Sequence, residues 1–197
     1  IAVTTDCNIF YCENDPYEGA LQAVAESYRN LISVGSKPLA LTNCLNFGNP
    51  EKNQIMGQFV NSIKGINKAS EILNLPVVSG NVSFYNETNN INIPPTPQIG
   101  AIGVIDDYRK VISYNSFNMN DEVYLIGRTG SHLSNTAYER CFYKHEKTKK
   151  NSIPPKVNLI CEKKNGKVIS ELINKKIISA CHDVSDGGLL ISLLEMC

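Results

Sequence analysis

IAVTTDCNIFYCENDPYEGALQAVAESYRNLISVG, residues 1–35, reads as a strand, a break and a helix. Ile1 to Thr5 is β-branched and apolar, and this strand ends at Asp6. Asn14-Asp15-Pro16 is a turn and helix-start signal, with Pro16 near the first helical position. From Tyr17 to about Val34, Leu21, Val24, Tyr28 and Leu31 recur at helical spacing and predict a stripe facing a core. Gln22, Glu26, Asn30 and Ser33 form a second, polar stripe on another face. Gly35 supplies the stop.

The same alternation continues outward. Pro38 to Thr42 predicts a strand, Asn43 to Pro50 a loop, and Pro50 opens a helix in which Ile55, Phe59, Ile63 and Ile66 keep helical spacing to about Asn74. Pro76 to Ser79 predicts a buried strand running into Gly80-Asn81, Asn86 to Asn92 a loop, and Ile99 to Ile105 a further strand. The character changes at Asp106-Asp107, which we read as a domain boundary. Beyond it, strands are expected at Glu122 to Ile126 and Ile177 to Cys181, with a helix around Lys167 to Asn174. A basic, polar stretch runs from His145 to Lys150, and a last helix follows Gly188. Such alternation is α/β or α+β.

The 197 residues are 42% hydrophobic and 19% charged, with a formal net charge of zero. That balance excludes bulk electrostatic attraction to nucleic acid or an anionic membrane. No apolar run approaches the roughly 20 residues of a membrane span. Seven cysteines lie singly, without a CxxC pair, which fits reduced thiols with structural or incidental roles in a cytosolic protein. The opening strand lacks signal-peptide character, and the final helix is still in an apolar run at Leu193-Leu194. We therefore expect an internal fragment of a longer protein.

Chemistry concentrates where strands end and helices begin, because exposed N–H groups and helix dipoles converge there. Asp6 ends a strand, and Glu26 and Asn30 are four apart on one helical face. Two carboxylates and an amide suit a hard cation such as Mg²⁺; simple solvation of Glu26 and Asn30 is the alternative. Gly80-Asn81-Val82-Ser83 offers close backbone approach, a carbonyl oxygen and a hydroxyl; a plain turn is the alternative. His182-Asp183-Val184-Ser185-Asp186-Gly187-Gly188 leads into a helix with carboxylates for a metal and N–H donors for phosphate, or else with Ser185 or Asp186 as N-cap. His182 reads as a structural hydrogen-bonding residue. Neither His132 nor His145 has ligand-spaced neighbours that make a metal signal, and neither is given a role.

Taken in order, Thr4 to Asn8, Asp15 to Ala20, Leu45-Asn46-Phe47-Gly48-Asn49-Pro50-Glu51-Lys52, Ser79 to Thr88, Pro95-Thr96-Pro97 and His182 to Leu189 closely resemble the second half of phosphoribosylformylglycinamidine synthase, small form. The likeness runs nearly end to end and is weakest between Arg128 and Lys150. Ser131 to Thr136 departs from the glycine-rich pattern of the family. The family lies in the aminoimidazole ribonucleotide synthetase superfamily. The resemblance implies an N-type domain over residues 1–106 and the beginning of a C-type domain over residues 107–197, the third and fourth domains of the enzyme. The implied activity is ATP-dependent conversion of formylglycinamide ribonucleotide to the amidine in purine biosynthesis. Ammonia comes from a glutaminase subunit, a small accessory subunit assists, and Mg²⁺ and fixed donors stabilise the transferring phosphoryl group.

By the same resemblance Asn43 and Gly80 contact nucleotide, Asn81 contacts Mg²⁺ and Ser83 contacts substrate. Asn43 stands where the family often has Asp. Asp6, Glu26, Asn30 and Asp183 match the metal ligands of an auxiliary nucleotide site, with Ser185 as its nucleotide contact. The catalytic histidine belongs to the missing first half, so no catalytic residue is expected here. The isolated fragment is expected to be inactive and to form a homodimer that imitates the missing pairing. Other superfamily members, such as aminoimidazole ribonucleotide synthetase or selenophosphate synthetase, lack the LNFGNPE and GNVSFYNET strings. A non-catalytic nucleotide-binding or assembly module is the reading from a different class.

Overall fold

Strand β1 (Ala2–Asp6) leads through helix α1 (Ile9–Asn14) into helix α2 (Pro16–Ser33) in a computed structural model that describes residues 1–131, 133–142 and 153–197. Asn8 caps α1 by accepting from the N–H groups of Phe10 and Tyr11. Asp15 caps α2, accepting from Tyr17 and Glu18 at 3.1 Å each, with Pro16 in the first turn. Gly35 follows α2 at φ +82°, a left-handed conformation that favours glycine. Then come strand β2 (Lys37–Asn46), helix α3 (Asn53–Leu73), strand β3 (Val77–Ser83), a ribbon of β4 (Glu87–Thr88) and β5 (Ile91–Asn92), and strand β6 (Thr96–Val104).

The main sheet has the order β1-β6-β2-β3. β6 is antiparallel to both β1 and β2, while β2 and β3 run parallel. Helices α2 and α3 cover one face. Between them and the sheet lie Leu21, Val24, Leu31, Leu41, Leu45, Phe47, Ile66, Leu75 and Ile99, all buried. Full burial of such side chains stabilises by about 1.5–3 kcal/mol each before chain entropy is set against it. Phe47, Phe59 and Phe84 stack with centroid separations of 5.0–6.4 Å. The other face of the sheet is open and apolar: Val3 is 70% exposed, and Leu39, Ile102 and Val104 lie bare beside it.

Downstream, helix α4 (Ala137–Phe142) is followed by α5 (Leu159–Asn174) and α6 (Gly188–Met196). Helix α5 is not separate from the first core. Leu159 joins the buried cluster, Arg29 pairs with Glu162 at 3.2 Å, and Lys163 donates to the carbonyl of Ile72 at 2.7 Å. The buried carboxylate of Glu18 accepts the N–H of Val157 at 2.9 Å, fixing the approach to α5.

Several sequence expectations need correction. No strand forms at Glu122 to Ile126 or at Ile177 to Cys181. Their composition is strand-like, but no described segment offers them a ladder, and an unpaired strand is unstable. β2 continues through Asn43 to Asn46 because β3 and β6 pair with it along that length. The expected loop at Asn86 to Asn92 contains the β4–β5 ribbon. The α5 helix starts eight residues before the expected Lys167, where Asn158 caps it. The third helix begins at Asn53 rather than Pro50, and α1 was not anticipated. The basic stretch His145 to Lys150 and His132 lie outside the described residues.

The α2–α3 contact gives a test. A Cβ at Gly65 would lie 2.2 Å from the carbonyl oxygen of Tyr17, whereas one at Gly57, on the same helix, meets nothing within 4 Å. Gly65→Ala should lower unfolding free energy by about 1–3 kcal/mol through overpacking, and Gly57→Ala should raise it by about 0.5–1 kcal/mol. Urea denaturation of both variants checks the contrast.

Candidate functional site

Asp6 ends β1 beneath helix α2, and the α2 stripe Glu26–Asn30 faces it. Asn30 Nδ2 donates to Thr4 Oγ1 at 3.2 Å, tying that stripe to the strand two residues before Asp6. Asp183 arrives from the segment between α5 and α6. Burial pushes the Asp6 carboxyl from 3.8 up to about 6; the Arg29 guanidinium opposes this, and Asp186 and Asp183 add to it. Burial likewise pushes Glu26 from 4.5 up to about 7, with further contributions from Asp6, Asp183 and Asp186 against the pull of Arg29. Asp6, Glu26 and Asp183 are therefore brought into one electrostatic field, and the solvated reading of Glu26 and Asn30 does not hold: both are half-buried.

The oxygens Asp6 Oδ2 and Asp183 Oδ2 are buried with no hydrogen-bond partner. Orphaned carboxylate oxygens are costly unless a donor or cation completes them. Among the described residues, no three His, Cys, Asp or Glu side chains are already gathered closely enough to enclose a metal ion. The carboxylates share a field without forming a closed ligand set.

Sequence reasoning missed several participants. Asp186 Oδ1 accepts from Asn8 Nδ2 at 3.2 Å, 178 residues away in the chain. Arg29 lies 3.9 Å from Glu26 and buries an unpartnered Nε. Arg140 lies 3.8 Å from Asp186 and stacks 4.3 Å over the Phe10 ring. The Glu26–Arg29 spacing of three could have pointed to Arg29; nothing local signals Asn8 or Arg140. Ser185 is half-buried, and its carbonyl accepts the N–H of Gly188 at 3.0 Å. Neither Ser185 nor Asp186 caps α6. Gly187 takes that position at φ +88°, without a side-chain cap, because the turn needs left-handed backbone.

The second group lies on neighbouring strands. Asn43 is opposite Gly80, Cys44 opposite Asn81, and Asn46 opposite Ser83. A Cβ at Gly80 would come within 2.3 Å of Asn43 Oδ1, so glycine lets the Asn43 amide lie across β3. Asn81 Nδ2 is 3.9 Å from Cys44 Sγ. By the pleat, Asn43 and Gly80 share one face and Asn81 and Ser83 the other, and β3, expected to be buried, is exposed from Val77 to Val82 because it is the edge strand. Ser83 is further held by Asn86, whose Nδ2 donates to the Ser83 carbonyl at 3.1 Å. Asp6 and Asn43 occupy one row across the sheet, each paired with Ile99, which is fully buried between them. Two strand spacings of about 4.8 Å therefore hold the two groups apart.

Residues 1–105 match the family described as AIR synthase related protein, N-terminal domain, and residues 119–197 match AIR synthase related protein, C-terminal domain. The phosphoribosylformylglycinamidine synthase subunit PurL of Pelagibacter ubique is 47% identical over 197 residues, covering all of this chain and 26% of that protein. Its Bartonella bacilliformis counterpart is 50% identical over 196 residues, again with 100% and 26% coverage. The chain thus spans about a quarter of the length of these relatives. Solved structures of Thermotoga maritima PurL match with TM-score 0.53: the ATP complex at 33% identity over 59% of this chain and 21% of that one, and the FGAR complex at 36% over 56% and 18%. The T. maritima PurLQS structure matches as the ATP complex does.

Because folding raises both acids, the native chain holds more protons than the unfolded one between about pH 4 and pH 7. Stability then falls as pH rises through that window. In EDTA, the unfolding free energy should drop by on the order of 2–4 kcal/mol from pH 4 to pH 8. Asp6→Asn with Glu26→Gln should flatten the profile. Urea titrations at stepped pH measure both.

Proposed function

Because this chain belongs to the AIR synthase related family, with N-terminal-domain sequence followed by C-terminal-domain sequence, we propose that it works as a segment of a phosphoribosylformylglycinamidine synthase. The PurL relatives, similar over the chain's whole length, support the reaction class. The site observation that carries the reading is the pair of buried, unpartnered carboxylate oxygens of Asp6 and Asp183 in the field they share with Glu26. Hard oxygen donors of this kind fit Mg²⁺. We assign Asp6, Glu26, Asn30 and Asp183 to hold it, and Ser185 with the turn into α6 to meet a nucleotide phosphate. Held by those residues, Mg²⁺ would supply positive charge to offset the carboxylates and a phosphate.

The strand-pair group takes the main nucleotide: Asn43 and Gly80 against ATP, Asn81 toward a second Mg²⁺, and Ser83 toward formylglycinamide ribonucleotide. Asn43 brings an amide without charge, so any metal on that side relies on other carboxylates. The ammonia that forms the amidine comes from a glutaminase subunit using glutamine, with a small accessory subunit in the assembly. The ATP, FGAR and PurLQS structures of the T. maritima relative support this set of ligands and partners. We place residues 1–106 in the N-type domain and 107–197 in the beginning of the C-type domain. The catalytic histidine lies in sequence outside this chain. No helix among the described residues is long and apolar enough to cross a membrane, and we assign the working enzyme to the cytoplasm.

The open sheet face, with Val3 against Ile102 in register, is where the rest of the synthase would pair; in the isolated chain a second copy takes that place. The purified 197-residue chain should therefore run as a dimer in light scattering and form no amidine. Within a complete synthase chain, Asn81→Ala should lower formylglycinamide-dependent ATP hydrolysis at least tenfold, about 1.4 kcal/mol or more. Amidine formation by the isolated chain, or a near-normal Asn81→Ala rate at saturating Mg²⁺ and ATP, contradicts the proposal.

A further inference from the structure

Asp183 is held from behind. Its backbone carbonyl receives two bonds, one from His182 Nδ1 at 2.7 Å and one from Ser192 Oγ at 3.1 Å. His182 Nδ1 also lies 3.3 Å from Asp183 Oδ1. On the far side of the ring, Nε2 is 3.2 Å from Glu195 Oε2. Tyr114 closes one flank, with ring centroids 5.4 Å apart. Ser192 and Glu195 are three apart on α6, so one helical face supplies both outer supports. The Asp183 side chain keeps only 10% of its surface, and Oδ2 is left without a partner.

A single carboxylate oxygen is thus immobilised while the other is kept free. A carbonyl oxygen can only accept, so Nδ1 is the donor of the bond to Asp183 O, with Oδ1 3.3 Å away beside it. With Nε2 engaged by Glu195, neither nitrogen is turned toward Asp6 or Glu26 as a ligand. Ordering a carboxylate before a cation arrives removes part of the entropic and repulsive cost of gathering like charges.

We infer that His182, braced by Glu195 and Ser192 of α6, is a positioning residue that presents Asp183 Oδ2 to a divalent cation shared with Asp6 and Glu26. The inference rests on the cation reading above and goes beyond it by naming the device that orients the ligand. It also links the second half of α6 to the site, through Ser192 and Glu195, so that a shift of that helix moves Asp183.

The test is Mn²⁺ binding to the full chain, read as loss of the free-ion electron paramagnetic resonance signal. His182→Ala should weaken Mn²⁺ binding by about 10-fold or more, the range for removing a group that supports a metal ligand. His182→Asn, whose amide nitrogen stands close to where Nδ1 was, should stay within about threefold of the wild type. Glu195→Ala, at the exposed end of the helix, tests the outer brace without altering the loop and should weaken binding by about threefold. A general structural role would weaken all three alike or none. Wild-type binding with equal affinity in His182→Ala and Glu195→Ala overturns the positioning role alone. No Mn²⁺ binding by the wild type overturns the cation reading beneath it.

Discussion

Helix α2 is packed on three sides. Leu21, Val24 and Leu31 enter the core between α3 and the sheet. Tyr28 meets α5, where a Cβ on Gly166 would lie 2.3 Å from the Tyr28 hydroxyl. Glu26 and Asn30 face β1 and the turn before α6. This helix is at once the main source of core burial and the platform for the carboxylates, so its register cannot slip by one residue without moving both. Its start is fixed by Asp15 and Pro16 and its end by Gly35, so local signals set its length and packing holds it in place.

Packing on three sides sets the burial that perturbs the acids. Asp6 and Glu26 are pushed up chiefly by burial and then by each other and by Asp183 and Asp186. Arg29 offsets part of this while also pairing with Glu162 on α5. The same guanidinium therefore joins the candidate site to the helix that ties the downstream segment to the first core. Perturbed acids often mark functional positions, and structural ion networks perturb them too; here the orphaned oxygens of Asp6 and Asp183 favour the functional reading. The opposite end of the sheet obeys a different rule. There Gly80 makes room for the Asn43 amide, and close backbone approach rather than charge defines the position.

What could be read from residues alone follows from distance along the chain. The α2 stripe, its cap and its stop are local signals, and they gave the helix to within a residue or two. The LNFGNPE and GNVSFYNET strings, with the other motifs in order, led to the family by resemblance. The Glu26–Asn30 pair was visible as spacing, while its burial was not: Asp183 and Asp186 come from more than 150 residues away. In the fold the Asn8 side-chain oxygen caps α1, and its amide nitrogen reaches Asp186 across the chain. The failed strands at Glu122 and Ile177 mark the opposite limit, since strand composition means nothing without a neighbour to pair with.

The proposed cation site joins Asp6, Glu26 and Asp183 and is completed by a nucleotide phosphate. Anomalous scattering from a crystal of the chain grown with Mn²⁺ and ADP tests it most directly. A manganese peak is expected within about 2.0–2.6 Å of an oxygen from each of Asp6, Glu26 and Asp183, with a phosphate oxygen completing the shell near Ser185. A peak elsewhere on the molecule with those three carboxylates uncoordinated, or nucleotide bound with no metal among them, would contradict it.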